Sequence, residues 1–287
     1  MKHWDGTFTG AGELPLYYQV WHPESKVRAI VVVVHGLGGH SNLFNHVVQA
    51  LVPLGYAIYG FDLRGHGRSQ GQRGYLNRWA EFRDDLRRFL HLIESQTNGL
   101  PRFLLGHSLG AMIVLDYALR FPEGLGGIIV TALPMGAVGV SPLKLVLGHI
   151  LSRIWPTFSL NTGIDQSTGS RDPAVVAANI QDPLRHTRGT ARLATEFQAT
   201  SAWLQTHAHA LEVPFFSLHG DADRVARPQG SRNFFERVTT PDKEYREFVG
   251  GYHDLYNDIN HSEVTAYLCD WLERHLESSW HSEASRV

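Results

Sequence analysis

The chain has 287 residues, 43% of them hydrophobic and 19% charged, which is enough apolar material for a large folded core and the wrong balance for a disordered or fibrous chain. A formal net charge of −2, without any dense run of Lys and Arg, argues against a nucleic-acid partner. Cys269 is the only cysteine, so an intramolecular disulfide framework is excluded and a reducing compartment is expected.

In chain order, Leu16 to Trp21 predicts a strand, and Ala29 to Val34 is a β-branched run of the kind buried on both faces of a sheet. Similar runs follow at Ala57 to Phe61, Arg102 to Leu105, Gly127 to Thr131 and Pro214 to Leu218. Helical patterns lie between them at Leu43 to Leu51, Trp79 to Glu94 and Leu109 to Arg120. Strands alternating with helices predict an α/β fold with a mostly parallel sheet covered on both faces.

After Thr131 the alternation stops for about eighty residues, far longer than an ordinary connection. Apolar residues at Leu143, Val146, Leu147, Ile150, Leu151, Ile154, Trp155 and Phe158 have helical spacing, and Ala174 to Ile180 and Gly189 to Thr206 also read as helices. The alternation resumes at Pro214 and closes with a helix from Ser262 to Leu276. The expected organisation is a core of residues 1–132 and 211–287 interrupted by a helical cap at 133–210.

The first twenty residues lack the apolar stretch of a secretory signal, and nowhere does the chain approach the roughly 18 apolar residues of a membrane span. A cytoplasmic chain is expected. The helix from Leu143 to Phe158 could pack on the core, line an acyl tunnel or touch a membrane surface transiently. Seventeen histidines include no HExxH or paired Cys/His spacing, so neither metal nor cofactor is expected.

The chemistry concentrates at Gly106-His107-Ser108-Leu109-Gly110, which has the form G-x-S-x-G. That pentapeptide is common by chance; its place between a strand and a helix is what gives it meaning, because a tight turn there lifts the serine Oγ above the sheet edge. A serine hydroxyl needs an imidazole to take its proton and a carboxylate to fix that imidazole's tautomer. Downstream, His219-Gly220-Asp221-Ala222-Asp223 follows a strand, and Gly250-Gly251-Tyr252-His253 follows the strand candidate Glu244 to Val249. These loops nominate Asp223, with Asp221 as runner-up, and His253, in the order Ser, Asp, His. The oxyanion formed by attack calls for two backbone donors, nominated as Leu109 at the helix start and Leu37 in the glycine-rich loop His35 to Ser41. That loop lacks the Lys-Ser/Thr of a phosphate-binding loop.

These segments resemble the monoacylglycerol lipase and lysophospholipase group of α/β-hydrolases, related to the serine aminopeptidase S33 proteins: HGLGGHS at 35–41, GYAIYGFDLRGHGRSQGQRGYL at 55–76, GHSLGA at 106–111, HGDADRV at 219–225 and GGYHDL at 250–255. The resemblance implies an α/β-hydrolase fold, Ser108 as nucleophile, Asp223 as acid, His253 as base, and Leu37 and Leu109 as oxyanion donors. It extends into the cap only at Ser170-Arg171-Asp172 and Asp182-Pro183-Leu184. Asp62 to Ser69 also fits the family, and its charges read as structural. The implied reaction is hydrolysis of monoacylglycerols or related lipid esters. Alternatives are a lysophospholipase, thioesterase or other esterase with the same triad, or a ligand-binding receptor on a hydrolase fold.

Overall fold

The computed structural model describes residues 1–97, 99–136 and 142–284. Its centre is an eight-stranded sheet. Strand β1 (Lys2–Thr9) pairs antiparallel with β2 (Pro15–His22), which pairs antiparallel with β4 (Tyr56–Phe61). From β4 the sheet runs parallel through β3 (Ala29–Val34), β5 (Arg102–His107), β6 (Leu125–Thr131), β9 (Phe215–Gly220) and β10 (Lys243–Phe248).

The expected α/β architecture is therefore present, and β3 shows why. All six of its residues are buried. Val31 and Val33 pack on one face with Val47 and Leu51 of helix α1 (Asn45–Leu51), whereas Ile30, Val32 and Val34 pack on the other with Phe82, Leu86 and Phe89 of α2 (Ala80–Gln96). Each such side chain contributes about 1.5–3 kcal/mol by leaving water, so alternation to two apolar layers holds the register. Helix α3 (Leu109–Ala118) is buried along its whole length beneath the second layer.

Two core elements escaped the sequence reading. The edge strand β1 is largely exposed and polar, and α7 (Pro228–Arg237) has a proline in its first turn and only a narrow apolar stripe. The last helix, α8 (His261–Ala284), closes the first layer through Leu268, Trp271 and Leu272.

Between β6 and β9 lie α4 (Pro142–Ile154), the short strand β7 (Ser159–Asn161), α5 (Pro173–Gln181), the short strand β8 (Arg188–Thr190) and α6 (Ala191–His207). Two expectations are corrected here. The helix expected to reach Phe158 ends at Ile154, because Pro156 disfavours helical backbone at Trp155. Gly189 and Thr190 belong to β8, and Thr190 caps α6 by accepting a hydrogen bond from Leu193 N–H. Among the described residues, no helix is long and apolar enough to cross a membrane.

Candidate active site

The order β4-β3-β5 reverses direction in the sequence, and in open parallel sheets ligands bind at such a switch, beyond the carboxyl ends of the strands. All the nominated residues gather there. Ser108 follows β5, Leu37 lies on the loop after the neighbouring β3, Asp223 on the loop after β9 and His253 on the loop after β10.

Ser108 sits at φ 53° and ψ −117°, a backbone conformation that costs a non-glycine residue roughly 1–3 kcal/mol. The strain persists because the turn is over-determined: Ser108 N–H donates to Thr131 O at 2.9 Å, and α3 starts at the next residue. Its flanking glycines are there for space. A Cβ on Gly110 would stand 2.0 Å from Val34 O, and one on Gly106 would stand 2.5 Å from Gly110 O. The helix thus approaches β3 more closely than any side chain allows.

Ser108 O–H points to His253 Nε2 at 3.1 Å, and His253 Nδ1 lies 2.7 Å from Asp223 Oδ2. With Nδ1 protonated, the imidazole accepts from the serine and donates to the carboxylate. The other oxygen of Asp223 accepts from Val225 N–H at 2.7 Å and Ala226 N–H at 2.9 Å. Burial pushes the Asp223 carboxyl up, but hydrogen bonds from His219 and His253 outweigh it and hold the group well below the ordinary carboxylate range. Asp223 is therefore charged throughout the neutral range. Asp221, the runner-up, accepts from Gly250 N–H at 2.6 Å and, among the described residues, makes no bond to His253. It bridges the two loops instead.

A partner missed in the sequence is His219, fully buried, whose Nε2 lies 3.1 Å from Asp223 Oδ2 and 2.8 Å from Ala226 O. Its position four residues before Asp223 was the available signal. Behind the serine, the ring of His107 lies 4.9 Å from that of His253, and burial pushes its pKa well down, so it forms a neutral wall. The backbone N–H groups of Leu37 and Leu109 have no protein acceptor among the described residues and are free for a ligand. Residues 62–69 are structural as expected: Asp62 accepts from Ser41 and Arg68, and Arg64 pairs with Asp85 and Glu81.

Over Ser108 is a cavity of about 100 Å³, walled by core residues such as Phe44 and Tyr256 and by Ile164, Arg185 and His186 from the segment between β6 and β9. That segment is tied to the core around the rim. His186 N–H donates to Gly38 O, Thr190 N–H to Gly74 O, and Asp254 N–H to Gly169 O. Arg171 binds Asp258 through its backbone N–H and Nε and reaches Asn260 through Nη2.

The family model described as serine aminopeptidase, S33, matches residues 25–260. This chain belongs to that family. It is 33% identical to the monoacylglycerol lipase of Mycolicibacterium smegmatis over 272 residues, covering 94% of this chain and 97% of the relative. It is 30% identical to the human monoglyceride lipase, covering 87% and 82%. Among solved structures, the monoacylglycerol lipase of Paleococcus ferrophilus superposes with a TM-score of 0.82 at 32% identity, covering 91% of this chain and 99% of that one. The fold is that of an α/β-hydrolase, as expected from the sequence.

Proposed function

We propose that the chain is a serine carboxylic-ester hydrolase acting on monoacylglycerols and related single-chain lipid esters, with Ser108 as the acylated residue. The observation that carries this reading is the unbroken line Ser108 Oγ, His253 Nε2, His253 Nδ1, Asp223 Oδ2, set beside two backbone N–H groups without acceptors among the described residues. Its relatives' names supply the substrate class.

Ser108 attacks the ester carbonyl while His253 takes its proton, and Asp223 stabilises the imidazolium that forms. The backbone N–H groups of Leu37 and Leu109 receive the oxyanion, each such donor lowering the barrier by roughly 3–4 kcal/mol. His253 returns the proton to the departing alcohol, and water, activated by the same histidine, clears the acyl-enzyme. None of these steps calls for a metal or cofactor.

In this reading residues 133–210 form a cap on the core of residues 1–132 and 211–287. The cavity is smaller than the roughly 300 Å³ at which drug-sized ligands are usually housed, so a long acyl chain requires the cap to yield. Along α4 and the turn after it, Val146, Leu147, Ile150, Ile154 and Trp155 are half exposed or more, an apolar stripe suited to transient contact with a lipid surface. The chain would work in the cytoplasm, visiting membranes to collect substrate.

The test is hydrolysis of 1-monoacylglycerols of increasing chain length, with lysophospholipid and p-nitrophenyl esters alongside, by wild type and Ser108→Ala. Loss of the nucleophile should lower kcat on the order of a million-fold. Equal activity in the two proteins would remove Ser108 and the mechanism with it; faster cleavage of lysophospholipid than of monoacylglycerol would reassign the substrate.

A further inference from the structure

We propose that Arg185 and Asp254 form a polyol-binding subsite beside His253, clasping neighbouring hydroxyls on the alcohol side of the ester. The inference rests on the ester-hydrolase reading above and names the residues that would select the leaving alcohol.

Both side chains line the cavity over Ser108. Arg185 donates through Nη1 to Asn179 Oδ1 at 2.9 Å, while its Nε is buried and has no partner. Among the described residues no carboxylate forms an ion pair with it. Burial lowers its pKa, and the charges opposing that effect are those of Asp254 and Asp182. Asp254 immediately follows His253 and is pushed up by its own burial; one of its oxygens accepts from Asn257 Nδ2 at 3.0 Å. Arg185 and Asp254 are therefore near enough to bias each other's protonation without touching.

A guanidinium drawn largely out of water with no carboxylate paired to it is destabilising, and a chain that keeps one in its reaction cavity leaves it for something that arrives. The arriving group must accept from the guanidinium and donate to the carboxylate. A hydroxyl does both. A phosphate would satisfy Arg185 but meet Asp254 with like charge, and an alkyl group would leave both unmet. Two adjacent hydroxyls fit best, since one can accept from the guanidinium while its neighbour donates to the Asp254 carboxylate.

The experiment compares a 1-monoacylglycerol with the propyl ester of the same acid, which lacks both hydroxyls, in wild type and Arg185→Met. Sites built around a substrate hydroxyl discriminate strongly against its absence. Wild type should favour the monoacylglycerol by roughly tenfold or more in kcat/KM, and in Arg185→Met the fall on the monoacylglycerol should exceed the fall on the propyl ester by that same factor, so that the preference is lost. An unchanged ratio, or an equal fall on both esters, would overturn the subsite and leave Arg185 a structural residue. Titration of wild type and Arg185→Met with glycerol and with 1-propanol, followed by calorimetry, reads the subsite without turnover. Wild type should bind glycerol and not 1-propanol, and the variant neither; glycerol binding that survives the substitution counts against the proposal. Wild type that cleaved neither ester would sink the ester-hydrolase reading, and the titration would still decide the subsite.

Discussion

Replacing Asp223 by Asn tests the proposed mechanism at the point where the structure leaves least freedom. Asp223 Oδ1 is committed to two backbone N–H donors, Val225 and Ala226, so the amide oxygen of an asparagine must take that place. Its NH₂ group then faces His253 Nδ1. An amide donor there favours the imidazole tautomer with the proton on Nε2, which presents a donor to Ser108 Oγ where the reaction needs an acceptor. The same NH₂ also meets His219 Nε2, which is 2.8 Å from Ala226 O and itself placed to donate. By analogy with other triads that lose their carboxylate in this way, kcat should fall about 10⁴-fold, or roughly 5.5 kcal/mol of transition-state stabilisation. Steady-state hydrolysis of a soluble p-nitrophenyl ester measures it, with circular dichroism to show that the fold survives. A loss of less than tenfold would mean that Asp223 does not govern the histidine, and the assignment of the acid would have to move.

Acid should weaken the fold in a defined window. His35 and His186 are both depressed by burial to about 4, so between that value and the ordinary 6.5 the unfolded chain binds protons that the folded chain refuses. Stability then rises with pH across the window, by up to about 1.4 kcal/mol per unit for the fully buried His35 and less for His186; denaturant melts at pH 7 and pH 4.5 that gave the same free energy would contradict this. Arg171→Ala removes two side-chain hydrogen bonds on Asp258 and Asn260, at 2.9 and 2.8 Å, so we expect about 2–3 kcal/mol of lost stability and a fall in kcat larger than any change in KM as the His253 loop loosens. Urea titration together with ester kinetics reads both, and Arg171→Lys should recover part of each. Charging the stripe on α4, with Leu147→Glu and Ile154→Glu together, should cut sedimentation with phospholipid vesicles several-fold while leaving hydrolysis of a water-soluble ester unchanged. Vesicle binding that is indifferent to the change would move the lipid contact elsewhere.

What could be read from the chain depended on whether local chemistry decided the outcome. Six consecutive apolar residues at Ala29–Val34 leave no choice but a doubly covered strand, and a serine between glycines at a strand-to-helix junction leaves little choice of turn. Asp221 and Asp223 look alike in the chain and differ in a short loop: Asp223 folds its carboxylate onto the N–H groups two and three residues ahead, a habit of Asp in turns, and meets His253. Strand β1 stayed hidden because an exposed edge places few demands on side chains. Arg185, His186 and Asp254 became visible only with packing, since nothing around an arginine in sequence says that three separate segments will close over it.

The ties around the rim also bear on how such a scaffold can be rebuilt. Helix α4 makes its main contacts with α6, and Ser152 Oγ meets Thr195 Oγ1 there at 2.9 Å. The stretch from Gly169 to Thr190, by contrast, is stitched to the loops carrying Gly38, Gly74, Asp254 and Asp258. Grafting a foreign α4 leaves these fastenings in place, whereas transplanting everything between β6 and β9 severs those on the loop that carries His253. Helix α4 is therefore the part of that segment that can be exchanged with least disturbance to the rim around Ser108.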